Sequence, residues 1–188
     1  MRSTRKLMFV VGLMAIIAAT AGMSVCSASK IVVEAEHFFQ ITPSMAYATS
    51  QVASGGYYVW IPLHRPHGEN ENGPSDNGNA LFLVYTPTAG NYTFWGRCHW
   101  HDGCGNSFFI YMDRDTTPAV FGDTDGTYQV WHWVKGKTYQ FTAGWHYIRV
   151  QYREDGAKLD QFLLTTDSRY VPVRAEKETP EYLKAAGQ

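Results

Sequence analysis

The sequence predicts an all-β protein, folded as a two-sheet antiparallel β-sandwich. Three observations carry this prediction. Of the 188 residues, 15% are aromatic and 17 are glycine, a composition of short strands and frequent turns. Apolar and polar residues alternate with a period of two along one segment after another. No run of ten residues shows helical spacing before the C-terminus, and there is no internal repeat. A hydrophobic share of 45% against 18% charged residues excludes a disordered chain, a collagen-like chain and a coiled coil. The formal charge of −1 comes without a basic block. That argues against a nucleic-acid partner held by phosphate contacts.

The elements follow in order. Arg2, Arg5 and Lys6 precede an apolar run from Leu7 to Ala19, with small residues at Ser27, Ala28 and Ser29. Thirteen apolar residues are short for a membrane span, so residues 1–29 read as a secretory signal peptide, the membrane's only involvement. The implied location is secreted, extracellular or periplasmic. Removing this segment takes away three basic residues and no acidic ones, leaving 13 basic and 17 acidic. Residues 30–167 form the predicted sandwich domain. Strands are expected at Ile31–Val33, Tyr57–Ile61, Ala80–Thr86, Tyr92–Trp100, Ser107–Asp113, Tyr128–Val134, Trp145–Tyr152 and Lys158–Thr165. Turn signals separate them, among them Gly122, Asp125-Gly126, Lys135-Gly136, Ala143-Gly144 and Asp155-Gly156. Within Trp145–Tyr152, His146, Ile148, Val150 and Tyr152 share one face, as in a sandwich with one buried side. Leu63 to Gly78 reads as a long polar loop, either functional or simply solvated. Residues 168–188 read as a polar tail outside the core, where Thr179 could cap a short helix begun by Pro180.

Two constellations carry chemistry. Glu34-Ala35-Glu36 opens the domain, and on a strand positions i and i+2 point the same way. Converging carboxylates are costly unless protons or a cation neutralise them, and oxygen ligands suit Ca2+. Asp160, on the last strand, completes such a site if first and last strands pair. A solvated Glu-x-Glu is the plainer alternative. The second constellation is Cys98-His99-Trp100-His101-Asp102-Gly103-Cys104. Once Cys26 leaves with the signal peptide, Cys98 and Cys104 are an even pair, most simply a disulfide in a secreted chain. Such a disulfide would pin Trp100 at a strand tip. The rival is a metal site using both cysteines and both histidines.

The chain resembles carbohydrate-binding modules of families 6 and 35. The resemblance rests on Val33-Glu34-Ala35-Glu36, Gly55-Gly56-Tyr57-Tyr58-Val59 and Thr86-Pro87-Thr88-Ala89-Gly90-Asn91-Tyr92-Thr93-Phe94. It continues through Asn106-Ser107-Phe108-Phe109, Ala143-Gly144-Trp145-His146 and Gly156-Ala157-Lys158-Leu159-Asp160. It implies a galactose-binding-like jelly-roll sandwich with a structural Ca2+ on Glu34, Glu36 and Asp160. It also implies a loop cleft in which aromatic rings sandwich a sugar. The first cleft aromatic maps to Tyr57 or Tyr58, the second to Tyr128 in Gly126-Thr127-Tyr128-Gln129-Val130-Trp131, with Trp131 closing the pattern. Any of these aromatics could instead be core. Where family 6 carries a sugar-binding Asn, this chain has Lys158. Either the site has lost its usual ligand or it prefers an acidic one. The expected function is a secreted, non-catalytic module binding a polysaccharide or other glycan. The alternative is an extracellular structural or surface protein that keeps the sandwich without sugar binding. A glycoside hydrolase is disfavoured, since its two carboxylates would be the pair better used on calcium. The sequence leaves the oligomeric state open.

Overall fold

The structure is a computed structural model and describes residues 28–63 and 78–184. The predicted signal peptide up to residue 27 and loop residues 64–77 lie outside the described residues. Twelve strands run in chain order: β1 Lys30–Glu34, β2 Gln40–Thr42, β3 Ala46–Thr49, β4 Tyr57–Trp60, β5 Asn79–Thr86 and β6 Gly90–His99. They continue with β7 Ser107–Met112, β8 Ala119–Gly122, β9 His132–Phe141, β10 Gly144–Gln151, β11 Lys158–Thr165 and β12 Leu183–Lys184.

Two sheets form the predicted all-β sandwich. One has the order β3-β4-β11-β6-β9, with β1 also on β11. The other has the order β12-β5-β10-β7-β8, with β2 also on β5. First and last long strands pair antiparallel, Glu34 opposite Gln161, as the calcium reading of Asp160 required. The core lies between the sheets, filled by rings such as Phe82, Phe94 and Phe162, with Phe82 and Phe162 centroids 4.9 Å apart. On β10 the predicted inward face is buried at His146, Ile148 and Val150, while Trp145 and Tyr147 stand out.

Two predicted elements differ. The expected strand Tyr128–Val134 begins only at His132, because Gln129 has φ of 58° and turns the chain away. The expected turn at Lys135-Gly136 is instead the middle of β9. Gly136 is there for packing: a Cβ on it would meet Phe94 at 3.0 Å and Phe121 at 3.1 Å. Four short strands, β2, β3, β8 and β12, have too few residues to show a period.

The C-terminal segment also departs from expectation. It is docked across the first sheet rather than held outside the core. Trp133 Nε1 donates to Arg174 O at 2.9 Å. Gln161 and the Glu176 backbone exchange bonds of 2.7 and 2.9 Å. Tyr170 packs on Val32, Trp95 and Leu163, and Tyr182 and Leu183 pack against the main core. Pro180–Tyr182 is a single 3-10 turn without a side-chain cap. Thr179 turns its hydroxyl oxygen to Val32 N at 2.9 Å instead.

Candidate functional site

Strand alternation builds a polar and aromatic surface at one end of the first sheet. On β4, Val59 points inward, so Tyr58 and Trp60 point out. On β6, Cys98 points inward, so Arg97 and His99 point out. Lys158 starts β11 with Trp60 and His99 as its register partners. Trp131, in the loop before β9, folds over this group. Its ring centroid lies 5.7 Å from Tyr58 and 5.3 Å from His99. Tyr58 and Trp60 are 6.2 Å apart, edge to face. Lys158 Nζ sits 5.7 Å from the Tyr58 centroid, and Arg97 Cζ sits 5.5 Å from the Trp131 centroid. All six side chains are partly exposed. Rigid rings with a polar surround can take the C–H face of a sugar and read its hydroxyls.

Tyr58, Trp131 and Lys158 are thus brought together as predicted site residues. Trp60, Arg97 and His99 belong with them and were not anticipated. The signal was present: period two from Tyr58 leads to Trp60, and period two from Arg97 leads to His99. Tyr57 and Tyr128 are 42% and 41% exposed. Among the described residues no ring pair joins them to the Tyr58 group. Tyr128 instead bridges to the backbone of Trp100.

Two predicted features are corrected. Trp100 is fully buried, so it offers no face to a ligand. It lies two residues from Cys98 and points inward with it, and its indole N–H donates to Asp125 at 3.0 Å. The disulfide is not formed: Cys98 lies in the core and Cys104 is exposed. Backbone bonds close the loop in its place, His101 N to Gly105 O at 3.0 Å and Gly105 N to Asp102 O at 3.3 Å. Burial pushes the Cys98 thiol well above its ordinary pKa. The rival Cys/His metal cluster does not form among the described residues either.

The carboxylates lie beside this surface. Glu34 ends β1, and Glu36 lies in the 3-10 turn Ala35–His37 rather than on the strand. Both still converge over Gly55. A Cβ there would meet Glu36 Oε1 at 2.1 Å and Glu34 Cδ at 3.8 Å, so glycine leaves the space open. Gly55 also has φ of 64°, which favours glycine. Glu34 Oε1 accepts from Ser54 Oγ and Gln161 Nε2, both at 2.7 Å. Asp160 Oδ2 is paired with Arg97. Glu34 Oε2, Glu36 Oε2 and Asp160 Oδ1 are buried without a partner. Burial first, then mutual repulsion, pushes Glu36 up to about 7. Burial lifts Asp160 to about 6 against the pull of Arg97. Glu34 is raised for the same leading reason. Three orphaned carboxylate oxygens are a donor set for a hard cation. Yet no three such side chains among the described residues close into a finished metal cage.

The fold is the β-sandwich that carbohydrate-binding modules of families 6 and 35 also adopt. Among solved structures, it is similar to a family 35 carbohydrate-binding module from Clostridium thermocellum, with 20% identity and a TM-score of 0.52 over 71% of this chain and 96% of that one. It is similar to the C-terminal family 6 module of a marine laminarinase from Zobellia galactanivorans, with 19% identity and a TM-score of 0.52 over 73% and 99%. It also matches part of a Podospora anserina mannanase that carries a family 35 module, with 16% identity and a TM-score of 0.56 over 76% of this chain and 29% of that one. In sequence it is 28% identical over 141 residues to an uncharacterized protein, P23, of Formosa agariphila. That match covers 69% of this chain, which spans about a quarter (26%) of the relative's length. No family model matches.

Proposed function

We propose that this chain is a secreted, non-catalytic glycan-binding module stabilised by a structural calcium ion. The observation that carries the reading is the grouping of Tyr58, Trp60 and Trp131 around His99 and Lys158 at the end of one sheet. Partly exposed rings in that arrangement have few structural uses, because each would gain by burial. A sugar ring stacked on Tyr58 or Trp131 would cover apolar surface, while Arg97, His99 and Lys158 supply hydrogen-bond donors. Tyr57 and Tyr128 would extend the contact toward the neighbouring loops. The likeness in fold to carbohydrate-binding modules supports the same reading.

Glu34, Glu36 and Asp160 would hold the calcium. Bound there, the ion supplies neutralising charge and no catalysis. The side chains themselves tie β1, the 54–56 turn and β11 together. The basic and apolar leader sequence supports secretion.

One observation favours a second reading, an extracellular structural protein. The outer face of the second sheet presents Trp145 at 51% and Tyr147 at 49% exposure, beside Tyr85. Exposed aromatics there suit a protein neighbour. A glycan-array screen of the protein in calcium, repeated with Trp131→Ala, separates the two. Binding that disappears in the variant supports the glycan reading. An array without any signal supports the structural one.

A further inference from the structure

Among the described residues, three strands of the first sheet lie at an edge: β9, β1 and β3. Two of these edges are guarded. β9 carries exposed Lys135 and Lys137. The outer edge of β1 is taken by the C-terminal segment, where Val32 N and O both bond to Thr179 and Glu34 N donates to Glu178 Oε1 at 3.0 Å. Charged side chains and covering segments are how sheets avoid pairing with another chain.

β3 has neither guard. It ends the sheet with β4 beside it. Its sequence is Ala46-Tyr47-Ala48-Thr49. It lies in a stretch, residues 38–63, that holds no Asp, Glu, Lys, Arg or His, although 18% of the chain is charged. Antiparallel strands bond through alternate residues. Ser50 N donates to Gly56 O at 2.9 Å at the end of the β3–β4 ladder, so Ala48 and Ala46 bond toward β4. The N–H and C=O groups of Tyr47 and Thr49 therefore point away from the sheet. Both residues are exposed, Tyr47 at 57%. The Tyr47 ring leans on Phe38, with centroids 5.7 Å apart, and Val52 in the following turn is 70% exposed. An uncharged edge bordered by exposed apolar side chains is a template for another strand.

We infer that β3 is a self-association edge, to which a second copy of this chain adds its own β3 antiparallel. Charge and symmetry select this occupant. A charge-free strand meets its own copy without like-charge repulsion, whereas β9 against β9 would bring lysines together. With the Ala48 residues of the two copies opposite each other, Tyr47 of each exchanges backbone bonds with Thr49 of the other. This is isologous pairing about a two-fold axis normal to the sheet. Such an axis leaves the outer faces of both first sheets on the same side. The two Tyr58–Trp131 surfaces then face one way and can engage a single polymer together. That consequence rests on the glycan-binding reading above; the dimer itself does not.

The test is sedimentation velocity of the purified protein in calcium, from about 10 μM to about 1 mM, with monomer giving way to dimer as concentration rises. Amide hydrogen exchange read by NMR supplies the specific signature. The Tyr47 and Thr49 amides exchange quickly in dilute protein and become protected in concentrated protein, while those of Ala46 and Ala48 are protected in both. Tyr47→Lys adds a guard like those on β9 and weakens the dimer about ten-fold or more. Thr49→Pro removes an outward donor and weakens it too. Melting curves check that both variants fold, and the exchange pattern of the unmodified protein decides if they do not. A monomer across the whole range overturns the inference. So does a dimer that leaves the Tyr47 and Thr49 amides unprotected, or one that neither folded variant weakens. The glycan array reads sugar binding separately, so each of these failures is distinct from a failure of the glycan reading.

Discussion

If Glu34, Glu36 and Asp160 hold calcium as proposed, removing the ion should make the protein's stability fall as pH rises, against the usual behaviour of paired carboxylates. In the ion-free protein, Glu36 is lifted from 4.5 to about 7 and Asp160 from 3.8 to about 6. A carboxyl whose folded pKa is raised binds its proton more tightly folded than unfolded. Its contribution is fully present below the unfolded value near 4 and is lost as pH climbs through 6 to 7. Each pKa unit is worth ~1.4 kcal/mol, so Glu36 alone accounts for roughly 3 kcal/mol between pH 4.5 and pH 8. Asp160 adds less than its own shift suggests, because the two repel each other and titrate as a coupled group. For a domain of this size, ~1 kcal/mol moves the melting point by about 2–4 °C. Dialysed, calcium-free protein should therefore melt about 10 °C lower at pH 8 than at pH 5. Calcium at pH 8 should restore that loss, since a ligand in ~100-fold excess over Kd adds about 2.7 kcal/mol. Differential scanning calorimetry at both pH values, with and without calcium, reads this directly. Glu36→Gln should flatten the pH dependence. A calcium-free melting point that is level from pH 5 to 8, or that calcium does not move at pH 8, refutes the roles given to Glu34, Glu36 and Asp160.

Thiol titration should find Cys104 reactive in the native protein and Cys98 only after unfolding, because one is exposed and the other is in the core. A native protein with no reactive thiol would restore the disulfide. Gly122→Ala should destabilise by more than ~2 kcal/mol, as φ is +97° and a Cβ would lie 2.0 Å from Asn106 O; urea unfolding measures it. Glu176→Ala should cost about 1–3 kcal/mol and expose the C-terminal segment to proteolysis, because Glu176 binds Lys30 at 2.8 Å and also takes the Tyr170 hydroxyl. Protease resistance equal to wild type would show that the segment is held by its apolar contacts alone.

The sandwich was legible in the sequence wherever a strand was long enough to show a period. β10 and β11 fall within a residue of expectation because apolar residues dominate their inward faces, Ile148 and Val150 on one and Leu159, Phe162 and Leu164 on the other. Loops and glycines were harder. Gly136 looks like a turn in sequence, and only the approach of Phe94 and Phe121 shows it to be a packing residue. Gln129 carries no sequence sign of its left-handed backbone, so the strand start was placed too early. Tail docking was illegible because it depends on partners far away in the chain, such as Gln161 for Glu176. At the site, the family motifs led to Tyr58 and Trp131, whereas Trp100 came in through the disulfide expected between Cys98 and Cys104. Counting by two from Cys98 would have sent Cys98 and Trp100 inward together. That step also removes the disulfide, since a core thiol and an exposed loop thiol have no common direction.

The most direct test of the central claim is the affinity of wild-type, Tyr58→Ala and Trp131→Ala proteins for the best ligand from the glycan array, measured in calcium by titration calorimetry. Stacking on an aromatic ring is worth on the order of 1–3 kcal/mol when the site is desolvated. Each variant should bind about 10- to 100-fold more weakly with a melting point near that of wild type, since both rings are only partly buried. Undiminished affinity in both variants would contradict the placement of the site on the Tyr58–Trp131 surface.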